Sequence, residues 1–538
     1  MASLYQRLLT QDFSELEEAA RSWLRLAQQT ETAVDTHRTK VTGPLHAEWE
    51  GEDADTALYY LEDVEKRLNT VRTEATTIST VLDTVQSRMR KAQSDLRAAV
   101  RAAEQSGFAV GDDGRVTDPE GNGGGDGQDP SGGGGRASAL AQYQSQINKA
   151  VENARQASDD GVKALSPLRG DIMDSGNLDA SSESARDVDE ALEALGIEEP
   201  KIPKDPKDAA EWWKGLTPEE RQRYETLFPA LIGGTDGLPA DTRDAANRLA
   251  LEQELNALKW DRSVFGNATH DELNRRQHHL TLLLEELEKR DGTSPDKQLY
   301  LLDFDSRDDG KAVIAMGNPD TAAHTAVQVP GTDTTLKSTP GQLRRIEALQ
   351  DAAVAAGAEG GVSTIWWLGY DAPEINTSVL GTGRAEDGAP DLRQFTAGLR
   401  ASHQGDPTHL TVAGHSYGST TVGAAASGGD GLQADDIIAV GSPGMTVGKA
   451  SELNIDPDHV YVGQADDDWI DYAANKTLGK DPAEEGFGGK NFTVDTSGHS
   501  GYWDQGSQSL ANMGRIIAGK EPSTVPKEDN NIPFIPGI

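Results

Sequence analysis

The chain contains no cysteine, which excludes disulfides, thiolate catalysis and cysteine-ligated metals while leaving the redox compartment open. It is also short of basic residues: 50 Lys and Arg stand against 89 Asp and Glu, a formal net charge of −39. Such a surface repels phosphate backbones and anionic lipid headgroups, so nucleic-acid binding through a basic face is not expected. The plain reading of the charge is solubility and salt tolerance. No stretch approaches the ~20 apolar residues of a spanning helix, so no transmembrane segment is expected. The segment Met1 to Arg25 carries acidic residues and helical periodicity in place of a basic start and an apolar run, which argues against a Sec-type signal peptide.

What is present exceeds one core: 538 residues imply several domains. From Phe13 to about Ala103 the pattern is helical, with Leu16, Trp23, Leu24 and Leu26 in one run and Leu58, Leu61, Val64, Leu68 and Val71 in the next. Gly43-Pro44 and Trp49-Glu50-Gly51 between them predict a turn joining two antiparallel helices, with Trp49 packed near the bend. Phe108–Val110 and Arg115-Val116 flank Gly111-Asp112-Asp113-Gly114 and predict a β-hairpin. A helical domain is therefore expected over 1–117, followed by a glycine-rich flexible linker over 118–136. Helical patterning returns over 137–295, a region that either caps an active site or packs beside it. Within it, Thr217-Pro218-Glu219-Glu220 is a capping-box helix start.

At Gln298 the texture changes. Short apolar runs at Tyr300–Phe304, Ala312–Met316, Ala326–Val329, Thr364–Leu368, Leu410–Ala413, Ile437–Val440 and Val460–Val462 alternate with helices at Gly341–Ala356, Leu392–Ser402 and Tyr417–Ala426. Asp308-Asp309-Gly310 makes the first pair a hairpin, after which crossovers make the sheet parallel. Seven or eight strands in this order fit an α/β-hydrolase sheet over 296–520, and the residues from 521 to 538 form a Pro-rich tail.

Gly414-His415-Ser416-Tyr417-Gly418 is the sole G-x-S-x-G of the sequence. Composition alone predicts roughly 0.4 such matches in a chain this rich in glycine, so the pentapeptide by itself says little. Its context says more. An apolar strand, Leu410–Ala413, enters it and a small-residue helix, Ser419–Ala426, leaves it. That is the strand–turn–helix of a nucleophile elbow, with Ser416 as candidate nucleophile. A serine hydroxyl needs a positioned base, and the chain order of such sites is Ser, acid, His. Of the histidines well past Ser416, His459 opens an apolar strand, whereas His499 sits in the Gly-rich loop before the last helix and is the candidate base. The acid is expected after Val460–Val462, where Asp466, Asp467 and Asp468 stand together. Asp468, directly before the apolar Trp469-Ile470, is preferred. The oxyanion donors are expected to be the backbone N–H of Tyr417 and that of Thr332 or Gly331, in the loop after the third strand.

These motifs and others in the same order resemble an actinobacterial α/β-hydrolase family catalogued as a domain of unknown function. The matching elements are Trp212-Trp213, Gly237-Leu238-Pro239 with Arg243 and Asn247, Val329–Thr332, Trp367–Pro373, Gly414–Ser419, Gly441–Gly444, Ala465–Ile470, Asp481-Pro482 and Gly498–Ser500. The resemblance implies the fold and a Ser416–Asp468–His499 triad, and it supports Asp468 through the acid-before-apolar-pair pattern. It implies no particular ester, and the three-glycine oxyanion loop of lipases is missing. The N-terminal helices around Trp49 likewise resemble the WxG-type helical hairpins associated with type VII secretion. That resemblance implies possible partners in a secretion machinery, although the Tyr59-x-x-x-Asp63 spacing lies near the start of the second helix instead of after it.

Three functions follow. The first is a serine hydrolase acting on a small-molecule or lipid ester. The second is a secretion-associated interaction protein that keeps the hydrolase fold as a scaffold, and the third an effector that delivers it. No cofactor, nucleotide or metal site is expected: the run Asp466–Asp468 lacks the spaced ligands of a calcium loop.

Overall fold

A computed structural model of the chain describes residues 3–49, 51–120, 133–168, 180–260, 262–468 and 477–524. Most of the expected linker and tail, and the pair Trp469-Ile470, lie outside these residues. Two compact units result: 1–35 with 63–200, and 36–62 with 201–538. No helix among the described residues is long and apolar enough to cross a membrane.

In the first unit, charged pairs join the two long helical runs, Glu17 to Arg90 at 2.6 Å and Glu31 to Arg72 at 2.7 Å. The Gly111–Gly114 turn closes a hairpin of β1 (Ala109–Val110) and β2 (Val116–Thr117). Phe108 and Val116 pack with Tyr5, Leu96 and Ile147 in an apolar cluster.

The second unit corrects two expectations at the segment 36–62. Gly43-Pro44 does not break the helix. Pro44 lies in the first turn of the helix Gly43–Glu48, where its missing N–H costs nothing, and a π-helical turn at Arg38–Thr42 leads into it. The expected bend falls between Trp49, where the helix ends, and Gly51, which has φ +112°. Trp49 takes extended backbone at the helix end and keeps 41% of its surface exposed, so it is not packed into the bend.

The remainder is built on an eight-stranded sheet. Its strands are β3 (Leu299–Asp305), β4 (Lys311–Met316), β5 (His324–Val329), β6 (Val362–Leu368), β7 (His409–His415), β8 (Asp436–Val440), β9 (Val460–Gly463) and β10 (Lys490–Asn491). They lie in the order β10-β9-β8-β7-β5-β6-β4-β3. Pairs β3–β4 and β4–β6 are antiparallel and the others parallel. This is the mostly parallel, helix-flanked sheet of an α/β-hydrolase domain. Alternation sends successive side chains to opposite faces. Val327, Val329, Val412, Ile437 and Ala439 pack with Leu392, Phe395, Val422 and Ala425 of the helices Gly383–Ser402 and Tyr417–Ser427. Ala326, Ala413, Ile438 and Val440 pack with Leu349, Ala353, Met513 and Ile516 of the helices Thr339–Ala355 and Gln508–Ile517.

The helical stretch 137–295 is divided between the units, since its part from Lys201 onward belongs with the sheet. Thr217 makes its capping box with Glu220. Leu251, Leu258, Leu280, Leu283 and Leu287 join the core around β3 and β4. Helix Ala240–Trp260 is bonded directly to β3: Asn247 donates to Leu301 O at 2.9 Å and Asp244 accepts from Leu301 N at 2.7 Å. Between them lies buried Arg248, which donates to Asp244 at 2.8 Å, to Asp291 at 3.1 Å and to Leu299 O at 3.2 Å. Its carboxylate neighbours keep it charged despite burial. Replacing it with an apolar residue removes the buried cation between Asp244 and Asp291, so Arg248→Met is expected to cost about 3–5 kcal/mol. Denaturant unfolding of the full chain checks this; an unchanged midpoint would show that the helix is not anchored through Arg248.

Candidate active site

Strand β7 ends at His415, and Ser416 turns the chain into the helix Tyr417–Ser427 with φ +53° and ψ −130°. A non-glycine residue in this region is strained and must be held by its surroundings. Ser416 N donates to Val440 O of β8 at 3.0 Å, and the Ser419 hydroxyl donates to Ser416 O at 2.6 Å. The Ser442 hydroxyl supports the latter at 2.6 Å. Gly418 allows the helix to approach the neighbouring loop, since a Cβ there would lie 2.2 Å from Val329 O. Ser416 is 4% exposed.

The loop after β5 runs against the elbow. A Cβ on Gly331 would meet Ser416 Cβ at 2.7 Å and Ser416 Oγ at 3.2 Å. Tyr370 donates its hydroxyl to Pro330 O at 2.7 Å, and Asp333 N, at a left-handed φ of +55°, donates to Pro373 O at 3.0 Å. That bond occupies the Asp333 amide. Tyr417 N–H belongs to the first turn of its helix, where amides have no intrahelical acceptor and the dipole favours negative charge.

His499 Nδ1 lies 2.8 Å from Asp468 Oδ1 and 2.9 Å from Oδ2. The Asp468 side chain is fully buried, and Tyr502 donates its hydroxyl to Oδ2 at 2.7 Å. Tyr502 Oη in turn accepts from Ala465 N at 3.2 Å. Asp467 is exposed and accepts from Gly498 N at 2.6 Å, which ties down the loop before the histidine; Asp466 is exposed as well. Asp468 reaches the strand ends beside the elbow: a Cβ on Gly441, the residue after β8, would meet its Oδ2 at 2.9 Å. With Nδ1 facing a carboxylate, Nδ1 carries the proton and Nε2 is the basic nitrogen. Among the described residues, no hydrogen bond joins Ser416 Oγ to this imidazole; such bonds commonly tighten only when substrate is bound. His459 is elsewhere: it and His409 flank Asp436 at the start of β8, at 2.7 and 2.8 Å.

Sequence reasoning passed over His415 and Tyr502. The His415 ring lies 4.9 Å from that of His499 and edge-on to Trp503 at 5.0 Å. Its Nε2 bonds to His499 O at 2.8 Å. Because a carbonyl can only accept, Nε2–H is the donor. Burial, the Arg345 charge and His499 push the His415 imidazole down to about 3, so it is a neutral strut under the loop. The signal for His415 was its place inside the elbow motif; for Tyr502, three positions beyond His499, none existed in the sequence alone.

A sequence profile of an alpha/beta hydrolase family matches residues 305–477, a span that holds Ser416 and Asp468 and stops short of His499. The uncharacterized protein Rv2079 of Mycobacterium tuberculosis is 32% identical over 443 residues, covering 71% of this chain and 64% of that protein. The uncharacterized protein Rv0963c of the same organism is 34% identical over 176 residues, 31% of this chain and 65% of its own length. The chain thus spans a little under two thirds of these actinobacterial relatives.

Two outcomes follow from the geometry. Gly331→Ala, whose Cβ would press on Ser416 at 2.7 Å, is expected to lower the reactivity of Ser416 about 100-fold, the scale of a ~1 Å misplacement at a reacting centre, with the fold retained. The rate of covalent modification at Ser416 and the far-UV spectrum check it; full reactivity would mean that the loop does not bear on the site. The second concerns pH. An unfolded histidine takes its proton near 6.5, whereas folded His415 refuses it until about 3, so the unfolded state binds more protons between these values. The contribution of His415 is complete above about 6.5 and is lost as pH falls toward 3. Relative to His415→Gln, wild type should lose up to about 1.4 kcal/mol per pH unit in that window. A difference in unfolding free energy that does not vary with pH would contradict it.

Proposed function

We propose that this α/β-hydrolase domain is a serine hydrolase that cleaves an ester through an acyl-enzyme. Ser416 is the nucleophile, His499 the base, Asp468 the acid, and Tyr417 N–H with Gly331 or Thr332 N–H the oxyanion hole. The observation that carries the reading is the buried Asp468 bonded to His499 Nδ1 beside a serine held at φ +53°. A structural ion pair has no need of a strained serine at its side, and a strained elbow has no need of an oriented imidazole. Together they supply what acyl transfer requires.

In the reaction, Ser416 Oγ attacks the ester carbonyl carbon while His499 Nε2 takes the hydroxyl proton. Charge develops on the carbonyl oxygen, where the two amides stabilise it without reorganising. Collapse breaks the bond to the alcohol oxygen, and His499 returns the proton to it. Water, deprotonated by the same nitrogen, then attacks the acyl carbon, and the proton passes back to Ser416 as the carboxylic acid leaves. Asp468 holds the imidazole in the required tautomer and stabilises its cation, and Tyr502 fixes the carboxylate.

The test is a fluorophosphonate probe, which phosphonylates an activated serine, applied to wild type, Ser416→Ala and His499→Ala. Wild type is expected to label and to hydrolyse small activated esters. Ser416→Ala should not label, and His499→Ala should label at least about 1,000-fold more slowly. Labelling that persists in Ser416→Ala, or none in folded wild type, would remove the assignment.

A further inference from the structure

Beyond the groups that perform the chemistry, one segment tethered to the loops of the site carries two exposed aliphatic side chains. Residues 371–382 follow strand β6 and are fastened to both halves of the oxyanion site. Toward the first half, Asp333 N donates to Pro373 O at 3.0 Å and Ile375 N donates to Asp333 Oδ1 at 3.1 Å. Toward the second, the hydroxyl of Tyr417 donates to Gly381 O at 2.5 Å. A short helical turn, Thr377–Leu380, started by Asn376, lies between the fastenings. Ala372 is buried and Val379 packs on the core, so the segment is seated on the fold. Two large aliphatic side chains nevertheless face solvent: Ile375 is 74% and Leu380 58% exposed.

Leu4, Val162, Val264 and Val354 are exposed as well, but Ile375 and Leu380 stand on a segment bonded to the loops of the candidate site, where bare aliphatics mark contact with an apolar ligand. The charge around them narrows the class. Asp333 and Glu374 are exposed at the same segment, and the guanidinium of Arg384 is taken up by Asp371. This acidic rim disfavours anionic substrates such as phospholipids and acidic monoesters. We propose that Ile375 and Leu380 form the apolar rim that grips the hydrocarbon arm of the ester, and that the substrate class is an uncharged ester with a medium or long acyl chain. This rests on the serine-hydrolase reading above and assigns its substrate side.

The experiment compares monomeric p-nitrophenyl acetate and p-nitrophenyl decanoate, below the micellar limit, on the full chain and on the double variant Ile375→Ser, Leu380→Ser, with fluorophosphonate labelling of both. Since each covered methylene is worth up to about four-fold, wild type is expected to favour decanoate in kcat/KM by about 100-fold. The double variant should reduce that ratio at least about 10-fold, mainly through KM, while still labelling. A chain-length ratio that is flat in wild type or the same in both proteins, with labelling intact, overturns the rim proposal alone. Wild type that neither labels nor hydrolyses either ester overturns the serine-hydrolase reading and the rim with it. Concentration-dependent self-association abolished by the double variant, with an unchanged ratio, would assign the two side chains to a second copy of the chain.

Discussion

The arrangement depends on one backbone position. Ser416 occupies a left-handed conformation that an L-residue adopts only under compulsion. The compulsion comes from its amide bonded to Val440 O, its carbonyl bonded to the Ser419 hydroxyl, and a helix drawn close to the neighbouring loop at Gly418. The cost of such a conformation is on the order of 1–3 kcal/mol, and the parallel sheet is rigid enough to carry it. The result is a hydroxyl at the C-terminal end of a central strand, where the loops of an α/β sheet gather.

Around that position the molecule places polar groups far apart in sequence. Asp468, His499 and Tyr502 form one connected set, buried at the acid and opening toward the imidazole. His415 supports the same loop from below through His499 O. A buried carboxylate without partners would be costly in so acidic a chain. Here it accepts from both an imidazole and a phenol, so its charge is met by donors. The neighbouring Asp467 serves the loop backbone instead of the ring, so adjacent carboxylates differ in role through burial and partner.

What was legible in the sequence is what local chemistry dictates. Alternating apolar runs marked seven of the eight strands, and the eighth, Lys490–Asn491, is two polar residues held by β9 and invisible to periodicity. The capping box at Thr217 and the hairpin at Gly111–Gly114 are short-range devices and could be read directly. Pro390 disguised the first turns of the helix Gly383–Ser402, which tolerates it internally. At the candidate site, Ser416, Asp468 and His499 could be singled out because a nucleophile, acid and base in that chain order restrict the choice. Their buried partners could not, because His415 reaches a carbonyl 84 residues away. The exposure of Trp49 and the division of the chain at 35, 62 and 200 depend on tertiary packing, about which a helical pattern is silent.

In the proposed reaction an activated Ser416, an imidazole oriented by Asp468 and two amides converge on one reacting atom. A crystal structure of the chain inactivated by an alkyl phosphonate tests this most directly, since the adduct copies the tetrahedral intermediate. The expected result is phosphorus bonded to Ser416 Oγ, with the phosphoryl oxygen about 2.7–3.1 Å from Tyr417 N and from Gly331 N or Thr332 N, and His499 Nε2 turned toward the bonded oxygen. An adduct on another residue, or a phosphoryl oxygen facing neither amide, would contradict it.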